Sequence, residues 1–258
     1  MQHSPCDFER IYKMKLTFLG TSHGVPSATR HCTSMMLEVG ERTYLIDAGA
    51  PIADCLEQQY KDPASIQAVF ITHMHGDHIN GLFHMIDLMM WYYKNCKPQI
   101  YMSEDEGIQM FEGYMRYMHS KTMEQCGITY HKIAAGNIYD DGILKVTAIP
   151  TLHISGGIRP SFAFLVEAEG KKILFNGDLT ANLIDFPKEA YADSLDAMVA
   201  ELAHCPAEKL AEKVMPCKVK KLFVIHVAPL SKYDQIKKYA ENFPFSTAFP
   251  NDGDVYEI

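Results

Sequence analysis

Residues 70 to 82 read FITHMHGDHINGL and place three histidines and an aspartate within six positions. They follow an apolar run that is typical of a buried strand. A hydrophobic core does not accommodate four adjacent polar side chains, whereas imidazole and carboxylate groups are ligands for zinc, manganese and iron. The sequence therefore predicts a metal site formed by His73, His75, Asp77 and His78.

The spacing within this cluster favours two ions over one. Residues two apart in an extended chain point to the same side, so His73 and His75 can approach one point. Gly76 permits an irregular turn, on which we expect Asp77 and His78 to lie and to approach a second point nearby. Four ligands this close in the chain would crowd one tetrahedral ion. We therefore predict two divalent ions a few Å apart, each with an open position for water.

Further ligands must come from other parts of the chain. His153 follows the run KVTAIPTL, Asp178 ends ILFNGD and His226 ends LFVIH. Asp47, at the end of TYLID, is another polar residue at a strand end. Loops at strand ends carry chemistry on a rigid frame, so we expect these residues to join the cluster.

The remaining sequence predicts one domain, residues 1–258, with two sheets wrapped by helices. Runs of β-branched and aromatic residues predict strands at 14–20, 34–40, 42–49, 67–73, 142–150, 161–170, 171–178, 195–202 and 220–227. Helical patterns occur at 82–93, which is apolar nearly all round, and at 104–118, 205–215 and 231–243.

Composition excludes several classes of protein. The chain is 47% hydrophobic and 22% charged, and no segment approaches the ~18 apolar residues of a membrane span. The N-terminus shows no secretion signal and the seven cysteines form no C-x-x-C pair, so we expect a cytoplasmic protein without a disulfide framework. The net charge of -8 disfavours binding of long nucleic acid, although a local basic patch is compatible with it.

The stretch THMHGDH matches the H-x-H-x-D-H signature of the metallo-β-lactamase superfamily, and the other strand-end residues occur in that superfamily's order. The resemblance spans about Lys15 to the C-terminus. It implies a four-layer αβ/βα sandwich with a di-metal site at one sheet edge. It also implies that Asp178 bridges the two ions and that Asp47 orients ligands. The resemblance assigns His73, His75 and His153 to one ion and Asp77, His78 and His226 to the other.

The segment FLGTSHGVPSATRHCTSMMLE resembles the opening of the ribonuclease Z-like branch, which includes tRNA 3′-processing endonucleases and small phosphodiesterases. The resemblance implies that residues 20–24 lie beside the metals. The endonucleases carry a long tRNA-gripping arm between the counterparts of His153 and Asp178. Here that interval is 24 residues of strand and hairpin pattern, so we expect no arm.

A second departure concerns the His-Glu-Ala-Thr motif of those endonucleases. Ala200 stands in place of the histidine, Glu201 matches the glutamate, and His204 follows three positions later. This spacing is similar to the cyclic phosphodiesterase of phosphonate breakdown, although the cysteine-rich zinc insert of that enzyme is missing. We therefore predict that His204 protonates the leaving oxygen and that Glu201 orients it or a ligand histidine. His23 is a weaker candidate for substrate contact.

We accordingly predict a binuclear phosphodiesterase that uses a metal-bridged hydroxide on a small nucleotide-like substrate, with zinc favoured over manganese or iron. The candidate catalytic residues are Asp47, Asp77, Glu201 and His204. An RNA or tRNA 3′-end endonuclease is the first alternative, and a lactone or thioester hydrolase is the second. A non-enzymatic metal scaffold is disfavoured because all seven ligands are intact. Methionines between residues 82 and 126 suit a core, a pocket wall or a homodimer face, and we expect a homodimer.

Overall fold

The structure, a computed structural model, describes residues 13–93 and 95–258. The N-terminal segment 1–12, part of the region for which the sequence predicts no secretion signal, and Lys94 lie outside the described residues. Two seven-stranded sheets stack face to face, and helices cover the outer face of each. This arrangement is the predicted four-layer αβ/βα sandwich.

The first sheet has the order β14-β1-β2-β3-β4-β5-β6. Strands β3 to β6 run parallel, while β14, β1, β2 and β3 pair antiparallel. The strands are β1 (Met14–Gly20), β2 (Ser34–Val39), β3 (Arg42–Ile46), β4 (Ile66–Phe70), β5 (Gln99–Met102), β6 (Thr129–Lys132) and β14 (Val255–Glu257). Its helices are α1 (Ile52–Gln58), α2 (Gly76–Trp91) and α3 (Asp105–Met118).

The second sheet has the order β13-β12-β11-β10-β9-β8-β7. Strands β10 to β13 run parallel, and β7 to β10 pair antiparallel. The strands are β7 (Gly136–Asp140), β8 (Leu144–Thr151), β9 (Ser161–Ala168), β10 (Lys171–Phe175), β11 (Leu195–Leu202), β12 (Val219–Val227) and β13 (Ser246–Ala248). Its helices are α4 (Glu189–Ala192), α5 (Ala207–Val214) and α6 (Lys232–Ala240).

Three apolar clusters hold the four layers together. The central cluster fills the space between the sheets and contains Phe18, Phe70, Phe164 and Phe223, which are all fully buried. One outer cluster packs α2 and α3 on the first sheet, and the other packs α5 and α6 on the second sheet. This layering places the ends of the strands, and the loops that follow them, at the edges of the sandwich.

Three predicted strands end earlier than the apolar pattern suggested. The strands predicted at 42–49, 67–73 and 171–178 end at Ile46, Phe70 and Phe175. Asp47 and Gly177 have φ values of 58° and 59°, which an extended strand does not allow. A Cβ at Gly177 would lie 2.8 Å from the Phe162 carbonyl oxygen, so this turn needs glycine. The residues beyond each strand form loops at one edge.

Candidate metal centre

The predicted site residues gather at one edge of the sandwich, where strands from both sheets end. In the first sheet β3 leads into Asp47 and β4 into His73. In the second sheet β8, β10, β11 and β12 lead into or contain His153, Asp178, Glu201, His204 and His226. The strands run in the same direction toward this edge, so residues far apart in sequence meet there.

The connection between β4 and α2 carries the H-x-H-x-D-H motif. The prediction that Asp77 and His78 lie on an irregular turn is wrong, because α2 begins at Gly76 and both residues lie in its first turn. The helical apolar spacing extends back to Ile79, which is buried, so α2 begins before the predicted residue 82. An aspartate in the first turn of a helix also interacts favourably with the helix dipole.

One set of donor atoms comes from three histidines. The Nε2 atom of His73 lies 3.0 Å from Nδ1 of His75, which lies 3.3 Å from Nε2 of His153. Oδ2 of Asp178 lies 3.8 Å from the first of these histidines and 3.7 Å from the third. Ligands about 2.0–2.1 Å from a tetrahedral ion are separated by roughly 3.3 Å, so one ion fits among these atoms.

A second set of donor atoms lies on the other side of Asp178. Oδ2 of Asp77 lies 3.5 Å from Nε2 of His78 and 3.8 Å from Nε2 of His226. The same Oδ2 atom of Asp178 lies 3.4 Å from both of these imidazole nitrogens. One carboxylate oxygen is therefore close to both sets, as expected for a ligand that bridges two ions.

Two of the predicted ligand histidines, His73 and His78, are oriented through Nδ1 by residues that follow strands of the first sheet. His78 donates from Nδ1 to the buried Asp47 carboxylate at 2.8 Å. Thr72 donates from its amide and its hydroxyl to Asp47, at 2.8 Å and 3.0 Å. The Thr72 oxygen is then free to accept from Nδ1 of His73 at 3.0 Å. The Nε2 atoms of His73 and His78 therefore point toward the candidate centre.

Two more of the predicted ligand histidines, His226 and His153, are held through their Nδ1 atoms. Thr33 donates from Oγ1 to the carbonyl of Ser22 at 2.9 Å and lies 2.7 Å from Nδ1 of His226, from which it accepts. Nδ1 of His153 donates to the carbonyl of Leu179 at 3.4 Å. Thr33 carries no sequence signal for this role, because its contact with His226 joins residues 193 positions apart and no motif marks it.

The chemistry of these donors fits divalent ions. Burial lowers the pKa of His73 and of His226, which favours the neutral imidazole that binds a cation. Burial by itself lowers the pKa of His78 too, but the carboxylates of Asp178 and Asp47 raise it well above its ordinary value. Burial by itself raises the pKa of Asp178, but His226 and His78 bring it well below its ordinary value. His78 Nε2 is buried and has no hydrogen-bond partner. A cation would satisfy this nitrogen and the Asp178 carboxylate together.

His204 lies at the rim of the two sets, with its ring centroid 4.6 Å from that of His153. Its Nδ1 atom lies 3.3 Å from Oε1 of the buried Glu201 and 3.7 Å from Asp178. Burial by itself lowers the pKa of His204, but the Glu201 carboxylate, assisted by Asp178, raises it above its ordinary value. Asp178, His204 and His226 are also close enough to form a third set of donors.

The loop of residues 20–24 lies beside the site, where the ribonuclease Z-like resemblance placed it. Thr21 accepts from the amide of His226 at 2.9 Å, and a Cβ at Gly24 would lie 3.6 Å from Asp77. The His23 ring centroid is 6.4 Å from that of His226. His23 is therefore near enough to meet a molecule that enters the site.

Comparison with known sequences supports the ribonuclease Z-like branch. Ribonuclease BN from Cronobacter sakazakii is 36% identical over 144 residues, which cover 54% of this chain and 46% of that protein. The chain thus spans about half the length of the curated relatives that it matches.

Comparison with solved structures confirms the predicted fold. YhfI from Bacillus subtilis, a metallo-β-lactamase fold protein, superposes with a TM-score of 0.77 at 16% identity over 96% of this chain and 100% of that chain. The short form of human tRNase Z has a TM-score of 0.73 at 20% identity over 94% and 98% of the two chains. A diphosphatase of the PhnP family has a TM-score of 0.70 at 16% identity over 95% and 97%.

The family model of the anti-Pycsar protein Apyc1 matches residues 14–243 of this chain. This range contains every predicted site residue and all of the loops that carry them. The chain has the metallo-β-lactamase fold and belongs to the anti-Pycsar protein Apyc1 family.

Proposed function

We propose that the protein is a binuclear metal-dependent phosphodiesterase that acts on a small nucleotide-like phosphodiester. The observation that carries this proposal is one carboxylate oxygen, Asp178 Oδ2, shared by two sets of imidazole and carboxylate donors, with His204 at their rim. Two divalent ions held there would lower the pKa of a bound water and offset negative charge on a phosphodiester. Zinc, manganese and iron all suit this donor set, and zinc is our first choice.

The chain's own residues supply positioning and a proton. The Nδ1 contacts of four ligand histidines leave their Nε2 atoms directed at the centre. Glu201 lies against one side of the His204 ring and favours its protonated form. When the bond between phosphorus and the leaving oxygen breaks, His204 can transfer its proton to that oxygen, and the imidazole becomes neutral. Asp47 orients His78 through its Nδ1 atom, and Asp77 contributes a carboxylate oxygen to the second donor set.

A small substrate is favoured over a long RNA. Residues 154–177 form a short helical turn and the β9–β10 hairpin, so the interval between His153 and Asp178 contains no arm. The net charge of -8 also disfavours a polyanion. The solved relative of the PhnP family is a diphosphatase, which is consistent with a small phosphorylated substrate.

RNA or tRNA 3′-end processing is the second candidate function. It is favoured by the 36% identity to ribonuclease BN in the matched region. The same donor sets could also polarise a lactone or thioester carbonyl, which is a third possibility of the hydrolase class.

A turnover panel with metal-reconstituted protein separates these candidates. The panel contains bis-p-nitrophenyl phosphate, cyclic mononucleotides, precursor tRNA, a lactone and a thioester. We expect turnover of the phosphodiesters and higher kcat/KM for cyclic mononucleotides than for precursor tRNA. Cleavage of precursor tRNA at the higher kcat/KM would favour the second candidate, and turnover of the lactone or thioester alone would contradict the phosphodiesterase proposal.

We further propose a homodimer that uses the outer faces of α2 and α3. Much of the methionine-rich stretch is core, since Met85, Met89 and Met115 are buried. The large side chains that remain exposed there are Trp91, Tyr92, Met110, Tyr114, Tyr117 and Met118. Large apolar side chains exposed on neighbouring helices favour a protein interface. Tyr117→Lys should therefore lower the molar mass measured by light scattering from dimer to monomer, and the exposed Tyr60→Lys should not.

A further inference from the structure

The loop that carries His204 is held on one side by Glu201. The carboxylate Oε2 accepts a hydrogen bond from the amide of Ala203 at 2.6 Å and another from the amide of His204 at 3.1 Å. Its other oxygen, Oε1, faces the His204 ring. Glu201 thus fixes both the backbone and the side chain of the predicted proton donor.

A second charged side chain, Lys232, holds the same loop through its carbonyl groups. Its Nζ atom donates to the carbonyl oxygens of Leu202 at 3.1 Å, Ala203 at 2.7 Å and Cys205 at 2.8 Å. An ammonium group has three donors, so all of them are used on this one loop. The two peptide groups that precede His204 are therefore each held by an anion at the amide and a cation at the carbonyl, and Lys232 also holds the carbonyl of Cys205.

The position of Lys232 in α6 does not favour the helix, so helix stability does not explain why a lysine stands there. Lys232 is the first residue of α6, where the helix dipole disfavours a positive charge. Its side chain is also partly buried, which costs hydration of the ammonium. The three loop carbonyls offset both costs. Because α6 follows β12, which contains His226, Lys232 also ties the His204 loop to the segment that carries a candidate ligand.

We propose that Lys232 is a positioning residue that keeps the His204 imidazole over the metal-binding donor sets. The inference rests on the proposed function, in which His204 donates the proton. Lys232 itself is not placed to touch substrate, because its three donors are all directed at the loop. Loss of Lys232 therefore acts on the reaction only through His204.

The direct test replaces Lys232 with methionine, which keeps the aliphatic chain and removes the three donors. For a nucleotide phosphodiester, whose leaving alkoxide needs a proton, kcat should fall about 10- to 100-fold, with KM and metal content unchanged. A p-nitrophenyl ester should lose much less rate, since its leaving group departs without a proton. Lys232→Arg, which retains charge and donors, should recover part of the loss. Lys238→Met, an exposed lysine of the same helix, should have no effect.

A double variant and a spectroscopic readout distinguish positioning from a general structural role. In a His204→Ala background, Lys232→Met should cause no further loss of rate. In metal-free protein labelled with ¹⁵N-histidine, the His204 ring signals should broaden or split in Lys232→Met while those of His84, an exposed residue, stay unchanged. Equal rate losses for both esters, lower metal content, a further loss in the double variant, or unchanged His204 signals would each overturn the proposal.

The proton-donor role of His204 and the positioning role of Lys232 are distinguished by different results. If His204→Ala affects both esters equally, the proton-donor role of the proposed function is wrong, and the His204 ring signals still decide whether Lys232 holds the loop. If His204→Ala shows the expected dependence on the leaving group and Lys232→Met does not, the proposed function stands and the positioning role of Lys232 is wrong.

Discussion

Two carboxylates, Asp141 and Asp178, lie at opposite ends of the sandwich and each has partners from both sheets. Asp141 lies before β8 and beside the start of β3, whereas Asp178 lies beyond the end of β10. Asp141 accepts from Arg42 at 2.6 Å, Tyr44 at 2.6 Å and Tyr139 at 3.0 Å, and from two backbone amides. Every one of its partners is a donor.

The neighbours of the Asp178 carboxylate lie farther away than the hydrogen-bond donors around Asp141. The imidazole nitrogens near its Oδ2 atom lie 3.4 Å to 3.8 Å away, beyond the usual ~2.7–3.2 Å of an N–H···O hydrogen bond. Four of these histidines contact other protein groups through Nδ1, so their Nε2 atoms face the carboxylate and are available to a cation. A carboxylate surrounded by donors stabilises a fold, and one surrounded by imidazole nitrogens is suited to share a cation with them. The chemistry of the neighbouring groups thus separates a structural carboxylate from a candidate ligand.

The largest effect should follow from Asp178→Ala. Both donor sets lose their shared oxygen, so we expect no measurable phosphodiesterase activity and weaker binding of metal at both positions. Elemental analysis and turnover of bis-p-nitrophenyl phosphate measure the two effects. Full activity in this variant would contradict the assignment of Asp178 as the shared ligand.

His204→Ala should have the next largest effect. Loss of a general acid lowers kcat by about 10²–10⁴-fold, and the loss should be greatest for a poor alkoxide leaving group. Metal content should stay the same, because a proton donor does not bind the ions. A residue that binds metal within the third donor set, formed by Asp178, His204 and His226, would lower it when removed. A matching fall in metal content would make His204 a ligand instead.

Substitution of Asp47 tests how much the orientation of the predicted ligand His78 contributes to metal binding. Asp47→Ala removes the acceptor for Nδ1 of His78 and for Thr72, so metal affinity should fall about 10- to 100-fold. Asp47→Asn retains one oxygen as an acceptor for Thr72 and should lose less. Competition with a chelator measures the affinities, and equal affinity in wild type and Asp47→Ala would sink the orienting role.

Asp141→Asn should have the smallest effect on activity and a clear effect on stability. Burial by itself raises the pKa of Asp141, but hydrogen bonds from Tyr44, the Leu144 and Ile143 amides and Arg42 lower it to about 2 from an ordinary 3.8. The free energy of unfolding should therefore fall by about 2 kcal/mol at neutral pH, with kcat unchanged.

The contribution of the Asp141 carboxylate to the free energy of unfolding should depend on pH. A depressed pKa in the folded state stabilises the protein above the ordinary pKa, and this stabilisation is lost as pH falls from about 4 to about 2. Urea unfolding of wild type and Asp141→Asn at pH 7 and at low pH measures it. The difference between the two proteins should shrink at low pH, and a constant difference would argue against the carboxylate charge as its source.

Much of the candidate metal centre could be predicted because its residues lie in one motif or at strand ends. His73, His75, Asp77 and His78 are neighbours in sequence, and His153, Asp178 and His226 follow recognisable apolar runs. The apolar pattern does not indicate the start of α2, because Gly76 and two polar residues interrupt the helical spacing there. Short strands such as β6, in which no residue is fully buried, lack the apolar run that predicts a strand.

The residues that support the site could not be predicted from the sequence. Thr33 and Lys232 act through contacts with residues 193 and about 30 positions away, and neither lies in a motif. Asp141 contacts Arg42 across 99 positions. Such contacts depend on how the two sheets are stacked, which local patterns do not encode.

The most direct test of the account is a titration of metal-free protein with zinc or manganese, followed by turnover of bis-p-nitrophenyl phosphate after each addition. The account predicts that activity rises and reaches a plateau at two ions per chain, and that Asp178→Ala shows no such rise. A plateau at one ion per chain, or no turnover at any metal content, would contradict a binuclear phosphodiesterase.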